Sequence, residues 1–177
     1  DNNWEITTSL GNSIIARCIV IAGGAGSFVP RKPPIDSIGK YEGKSVLYSV
    51  KDKSIFNGKK IVIAGGGDSA LDWTNDLAST AQVTLIHRRK EFRAAPDSVT
   101  KMLELEKKGK INFIIGQISS IKGENGLIAE IGYKFESQEL FLKTNYLLPF
   151  YGLKMELGPI SSWGLNLNEN KIKVDTE

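Results

Sequence analysis

One cysteine and one histidine among 177 residues remove several chemistries at once. A disulfide within the chain would need a second thiol, and a structural zinc needs more Cys or His ligands than are present. A Ser-His-Asp triad would have to be built around His87 alone. Cys18 lies inside the run Ala16–Ala22, where it is expected to be a buried small hydrophobe. An unpaired thiol also points to a reducing, cytoplasmic setting. No apolar run reaches the ~18 residues of a membrane span, so neither a membrane segment nor a signal peptide is expected. The net charge of +3 is too small to imply a nucleic-acid partner. What remains, with 41% hydrophobic and 24% charged residues, is ordinary globular material, enough for one domain with appendages.

The positive signal is concentrated at residues 61–70. Ile61-Val62-Ile63-Ala64 is a short β-branched run, as a strand buried on both faces requires. Gly65, Gly66 and Gly67 follow, and Gly65, Gly67 and Ala70 match the G-x-G-x-x-G/A spacing of a dinucleotide-binding turn. In that pattern Gly65 permits the tight turn and Gly67 lets backbone approach a pyrophosphate. Ala70 then allows close packing of helix on strand. A helix over about 69–80 would place Ala70, Trp73 and Leu77 on one face, with Asp76 away from it. Its free N–H groups and positive dipole end would face the bound phosphates, close to Ser69. Asp68 would repel such a phosphate and is expected instead to cap the helix. A tight turn with no ligand is the plainer alternative.

Cofactor choice is decided at the end of the next strand, Val83-Thr84-Leu85-Ile86. NAD-binding folds place an acidic residue there, about 20 residues beyond the glycines, to hold the ribose hydroxyls. Here that place is taken by His87, followed by Arg88, Arg89 and, further on, Arg93. Guanidinium forks bind a 2′-phosphate that a carboxylate would repel. Arg93 would share that phosphate with Arg89 if the segment begins a helix. Charge-assisted bonds of about 1.5–3 kcal/mol each would suffice for a roughly hundredfold preference for NADP(H). His87 is expected to be a pocket wall rather than a catalyst. A solvated basic loop is the alternative.

GGGDSALDW followed by HRRKEFR resembles the NADPH domain of thioredoxin-reductase-like flavoproteins, and among them the ferredoxin–NADP⁺ reductases built on that fold. The likeness extends to AGGAGSFVPRKP near the start and FYGLKMELGPISSWGL near the end. It implies that Arg88, Arg89 and Arg93 hold the 2′-phosphate and that the glycine turn holds the pyrophosphate. The expected cofactor-binding set is Gly65, Gly66, Gly67, Asp68, Ser69, Ala70, His87, Arg88, Arg89, Arg93 and Gly152, with no catalytic side chain and no metal ligand. NADP(H) is the implied cofactor here, and FAD in a longer protein. Ferredoxin or flavodoxin is the implied electron carrier, and a homodimer is compatible with the resemblance. Thioredoxin reductases carry a Cys-x-x-Cys pair in this domain. Cys18 precedes the domain and is single, so no dithiol relay can run within these residues. The alternatives are a disulfide reductase whose cysteines lie elsewhere, and a non-catalytic NADP(H)-binding module.

The expected architecture is α/β: a Rossmann-like three-layer dinucleotide-binding domain with a parallel sheet and an antiparallel β-meander. It reads as strand 60–64, helix 69–80, strand 83–87, helix 96–108 and strand 111–115. Pro96 suits a first helical turn and Gly109 an exit. Short runs at 117–122, 129–135 and 139–142 form the meander, separated by Gly123, Asn125, Gly126 and Ser137. Residues 146–150 return to the sheet, short or at an edge because of Pro149. Near the start, strands at 4–9, 13–16 and 18–22 repeat that ending, and a Pro/Lys-rich linker covers 30–44. The chain is expected to be the middle of a flavoenzyme: residues 1–40 a FAD-domain tail and linker, 41–155 the NADP(H) domain, and 156–177 a return segment.

Overall fold

The computed structural model describes residues 3–24, 26–169 and 171–175. In chain order it begins with the antiparallel hairpin β1 (Trp4–Thr7) and β2 (Ser13–Ala16), then β3 (Ser27–Pro30). Next come β4 (Lys60–Gly65), α1 (Asp68–Leu77), β5 (Gln82–His87), α2 (Pro96–Lys107) and β6 (Ile111–Ile115). The meander β7 (Gln117–Glu124), β8 (Leu127–Phe135) and β9 (Gln138–Lys143) precedes β10 (Tyr146–Phe150). Strands β11 (Leu153–Glu156), β12 (Leu167–Asn168) and β13 (Lys171–Ile172) close the chain. Two compact units result, one of Val29–Lys154 and one from the described residues of 1–28 and 155–177.

The larger unit has three layers. Its parallel sheet has the order β10-β4-β5-β6, and the meander forms a separate three-stranded antiparallel sheet. Alternation along β4 divides the core between the two faces. Val62 and Ala64 pack with Ile86, Leu147 and the meander residues Ile118, Ile121, Ile128 and Ile131. Ile61 and Ile63 pack with Ala70, Leu71 and Leu77 of α1 and Met102 of α2. β10 lies at the edge of the four-stranded sheet, so the ring of Pro149 interrupts no interior ladder. The meander strands run two residues longer than expected because Asn125 and Gly126, both at positive φ, form a two-residue turn that needs no loop.

Four expectations are corrected. Residues 30–44 are not a bare linker: a 3-10 turn, Asp36–Lys40, puts Ile38 and the adjoining Tyr41 into the core under the meander. Ser45 then joins that segment to the meander turn, donating to the Gly126 carbonyl and accepting from Ile128 N–H. Residues 18–22 form no strand. Cys18 is exposed there, since no ladder or packed layer draws it inward. Both helices keep their expected places, but α1 begins one residue earlier and stops at Leu77, and α2 stops at Lys107. Trp73 packs against the helix-side core, and exposed Asp76 pairs with Lys53 at 3.1 Å. Among the described residues, no helix is long and apolar enough to cross a membrane.

Packing of α2 on the sheet can be tested at adjacent positions. Met102, fully buried, should lose about 2–4 kcal/mol of stability on replacement by Ala. Leu103, 47% exposed, should lose under about 1 kcal/mol. Urea denaturation measures both, and equal losses would contradict this packing.

Candidate functional site

Strands β4 and β5 run in parallel register from Lys60↔Gln82 to Ala64↔Ile86, so Gly65 and His87 emerge at the same edge of the sheet. Three glycines follow one another there for different reasons. Gly65 sits at φ +152, and a Cβ on it would run into the Phe150 carbonyl of β10. A Cβ on Gly66 would collide with the His87 imidazole. Gly67 has φ −104, which any residue can adopt, and nothing lies within 4 Å of where its Cβ would be. Contacts within the protein require the first two glycines, and no contact requires the third.

Gly67 is also the N-cap of α1, and its carbonyl accepts from Ala70 N–H at 3.1 Å and Leu71 N–H at 3.2 Å. Ala70 is buried against Gly65, as close helix–strand packing requires. Ser69 is exposed in the first turn, where amide N–H groups have no carbonyl further back in the helix. Asp68 does not cap this helix. Its Oδ1 instead accepts the Ala95 N–H at 2.8 Å, from the segment that follows β5.

That segment is a loop up to Pro96, so Arg93 is not one helical turn from Arg89 as expected. Pro96 starts the helix, and no regular element precedes it after His87. The loop is held against the glycine turn by its own backbone. Arg93 N–H donates to the Gly66 carbonyl at 2.8 Å. The His87 Nε2–H donates to the Glu91 carbonyl at 3.2 Å. The imidazole also stacks on Phe92 with centroids 5.2 Å apart, and Phe92 contacts Phe113 of β6. Beyond the loop, Ser98 donates its hydroxyl to Asp72 at 2.9 Å, and the Asn75 amide donates to the Ser98 carbonyl at 3.0 Å. Arg88, Arg89 and Arg93 are exposed, and among the described residues no carboxylate pairs with them.

Glycine turn, α1 start and guanidinium groups are thus brought together at one end of the sheet. Gly152 follows β10, whose Phe150 is in register with Gly65. It has φ +88 and accepts from Arg31 N–H at 2.9 Å. The arrangement offers unused N–H groups and unpaired cations to an anionic ligand. Sequence reasoning missed the roles of Asp72, Asn75 and Ser98. The four-residue spacing of Asp68 and Asp72, which puts both on one face of α1, was the available signal.

A family model described as pyridine nucleotide-disulphide oxidoreductase matches residues 1–177. The chain belongs to that family. It is 51% identical over 179 residues to a protein named ferredoxin–NADP reductase from Parvibaculum lavamentivorans, covering 100% of this chain and 52% of that one. A protein of the same name from Mesorhizobium japonicum is 48% identical, with the same coverage. The chain therefore spans about half the length of these curated relatives. Thioredoxin reductase from Lactococcus lactis superposes with a TM-score of 0.78 at 27% identity, over 99% of this chain and 57% of that one.

In this family member His87 is held below its ordinary value, first by burial, with the charges of Arg89, Arg88 and Arg93 adding to it against the Glu91 hydrogen bond. The unfolded chain takes the proton near 6.5 and the folded chain only below that. Stability from this group is therefore complete above that value and lost as pH falls through it. Between about pH 7.5 and 5.5, His87→Gln should lose less urea resistance than the unsubstituted chain. An identical acid loss in both would contradict the assignment.

Proposed function

We propose that these 177 residues are the NADP(H)-binding part of a flavin-dependent ferredoxin– or flavodoxin–NADP⁺ reductase. The observation that carries the proposal is Gly67. Glycine in a turn adds unfolded-chain entropy, and neither its φ nor any neighbouring atom calls for it here. A pyrophosphate seated in the open space above Gly67 accounts for the missing side chain. Arg88, Arg89 and Arg93 beside that turn, unpaired among the described residues and with no carboxylate at the strand end, fit a ribose 2′-phosphate. His87 walls the site and spaces the arginines from the turn.

The roles of the parts follow from this reading. Residues 1–40 act as the tail of a FAD domain and linker, 41–155 hold NADP(H), and 156–177 lead back toward the FAD domain. When bound, NADP(H) gives or takes a hydride, and FAD in the longer protein is its counterpart. This chain's own side chains bind and orient the nucleotide; alone they hold little FAD and turn over nothing. The shared name of the relatives supports ferredoxin as the carrier. Flavodoxin, a homodimer of the longer protein and a cytoplasmic setting belong to the same reading. Cys18, single and exposed, provides no dithiol for disulfide chemistry within this chain.

Calorimetric titration with NADPH and NADH tests the site. Gly67→Ala should keep its urea midpoint and weaken both nucleotides by about tenfold or more, because the added methyl occupies the phosphate's space. Arg88→Ala and Arg89→Glu should weaken NADPH by about tenfold or more while leaving NADH nearly unchanged. Undiminished binding by Gly67→Ala, or equal loss of both nucleotides in the arginine variants, would overturn the proposal.

A further inference from the structure

Asp68 stands one residue past the glycine turn and does not cap its own helix; its side chain accepts instead from the loop that follows β5. We propose that Asp68 is a positioning residue for phosphate selectivity: by holding Ala95 N–H it fixes the arginine loop against the glycine turn. The inference rests on the NADP(H) reading above.

The loop between His87 and Pro96 has no helix or strand of its own and is mostly exposed. Two hydrogen bonds fasten it directly to the turn region: Arg93 N–H to the Gly66 carbonyl at 2.8 Å, and Ala95 N–H to Asp68 Oδ1 at 2.8 Å. They lie two residues apart and clamp the loop on either side of Ala94. The first is backbone to backbone and common to any sequence. The second depends on a side chain, and so is the one that residue choice controls. Without it, the Arg93 N–H bond to the Gly66 carbonyl is the only one of the two direct ties left between the loop and the turn, so the Arg93 side chain is less firmly placed and a ligand has to order it on binding. Only a nucleotide with a 2′-phosphate uses that loop, so the cost falls on NADPH and spares NADH.

A direct electrostatic role for Asp68 makes the opposite forecast. If its charge simply opposed the pyrophosphate, removing it would tighten both nucleotides, whether Asn or Ala replaced it.

The test titrates NADPH and NADH into the whole chain carrying Asp68→Ala, Asp68→Asn or Arg88→Ala, and follows amide exchange at Ala95 without nucleotide. Asp68→Ala should weaken NADPH about threefold to tenfold, leave NADH within about twofold, and speed exchange at Ala95. Asp68→Asn, which keeps an Oδ1 acceptor, should stay near the unsubstituted chain in all three. Loss of both nucleotides alike, loss of neither, tighter binding in both Asp68 variants, or unchanged exchange at Ala95 would each overturn the positioning role. Arg88→Ala separates the two levels. If it loses NADPH selectively while Asp68→Ala does not, the positioning role alone is wrong. If Arg88→Ala fails to discriminate, the phosphate-reading assignment is wrong with it.

Discussion

Parallel pairing of β4 with β5 is the constraint on which the site depends. Five in-register pairs bring the two strands to an end side by side, so the turn after one and the loop after the other leave from the same edge. A one-residue slip would exchange the two faces of β4, pushing Ile61 and Ile63 toward the meander and Val62 and Ala64 toward the helices. Both faces are buried, so the register is strongly specified. The site's geometry is in this sense a product of the core.

On that base the residues of the turn and loop interlock. His87 rests over Gly66, and this contact excludes a side chain at Gly66 and orients the ring. Phe92 stacks on the imidazole and meets Phe113 on β6, so the basic loop is anchored to the third strand as well as to the turn. The same packing that buries His87 disfavours its imidazolium, leaving Lys90 and the three arginines as the cations of the loop near neutral pH. The guanidinium groups are solvated and, among the described residues, pair with no carboxylate, a state that favours capture of a phosphate over internal ion pairing.

Much of this architecture is legible from periodicity and spacing. The β-branched run at 61–64, the glycine turn, the second strand and Pro96 at a helix start each carry a local signal, and the three-layer α/β class follows from their order. The candidate residues that meet at one sheet edge were legible too, because turn chemistry and charge type are local properties. Their mutual bonds were not. Asp68 looks like a helix cap in one dimension, since a short acidic side chain at a helix start usually is one. Its actual partner lies 27 residues away. Arg89 and Arg93 share a helical spacing, but the residues between them form a loop because the segment is tied to the turn before a helix can begin. Residues 18–22 have strand-like composition without forming a strand, as β-propensity depends on neighbours to pair with. Ile38 and Tyr41 entered the core from a stretch whose prolines and lysines suggested only a connection.

The central claim is that glycine turn and arginine loop act as one reader of a single nucleotide, and phosphorus NMR tests it most directly. In a titration of NADP⁺ with the protein, the pyrophosphate and 2′-phosphate resonances should shift together and saturate at the same protein concentration. A pyrophosphate signal that moves while the 2′-phosphate signal stays at its free position would contradict the account.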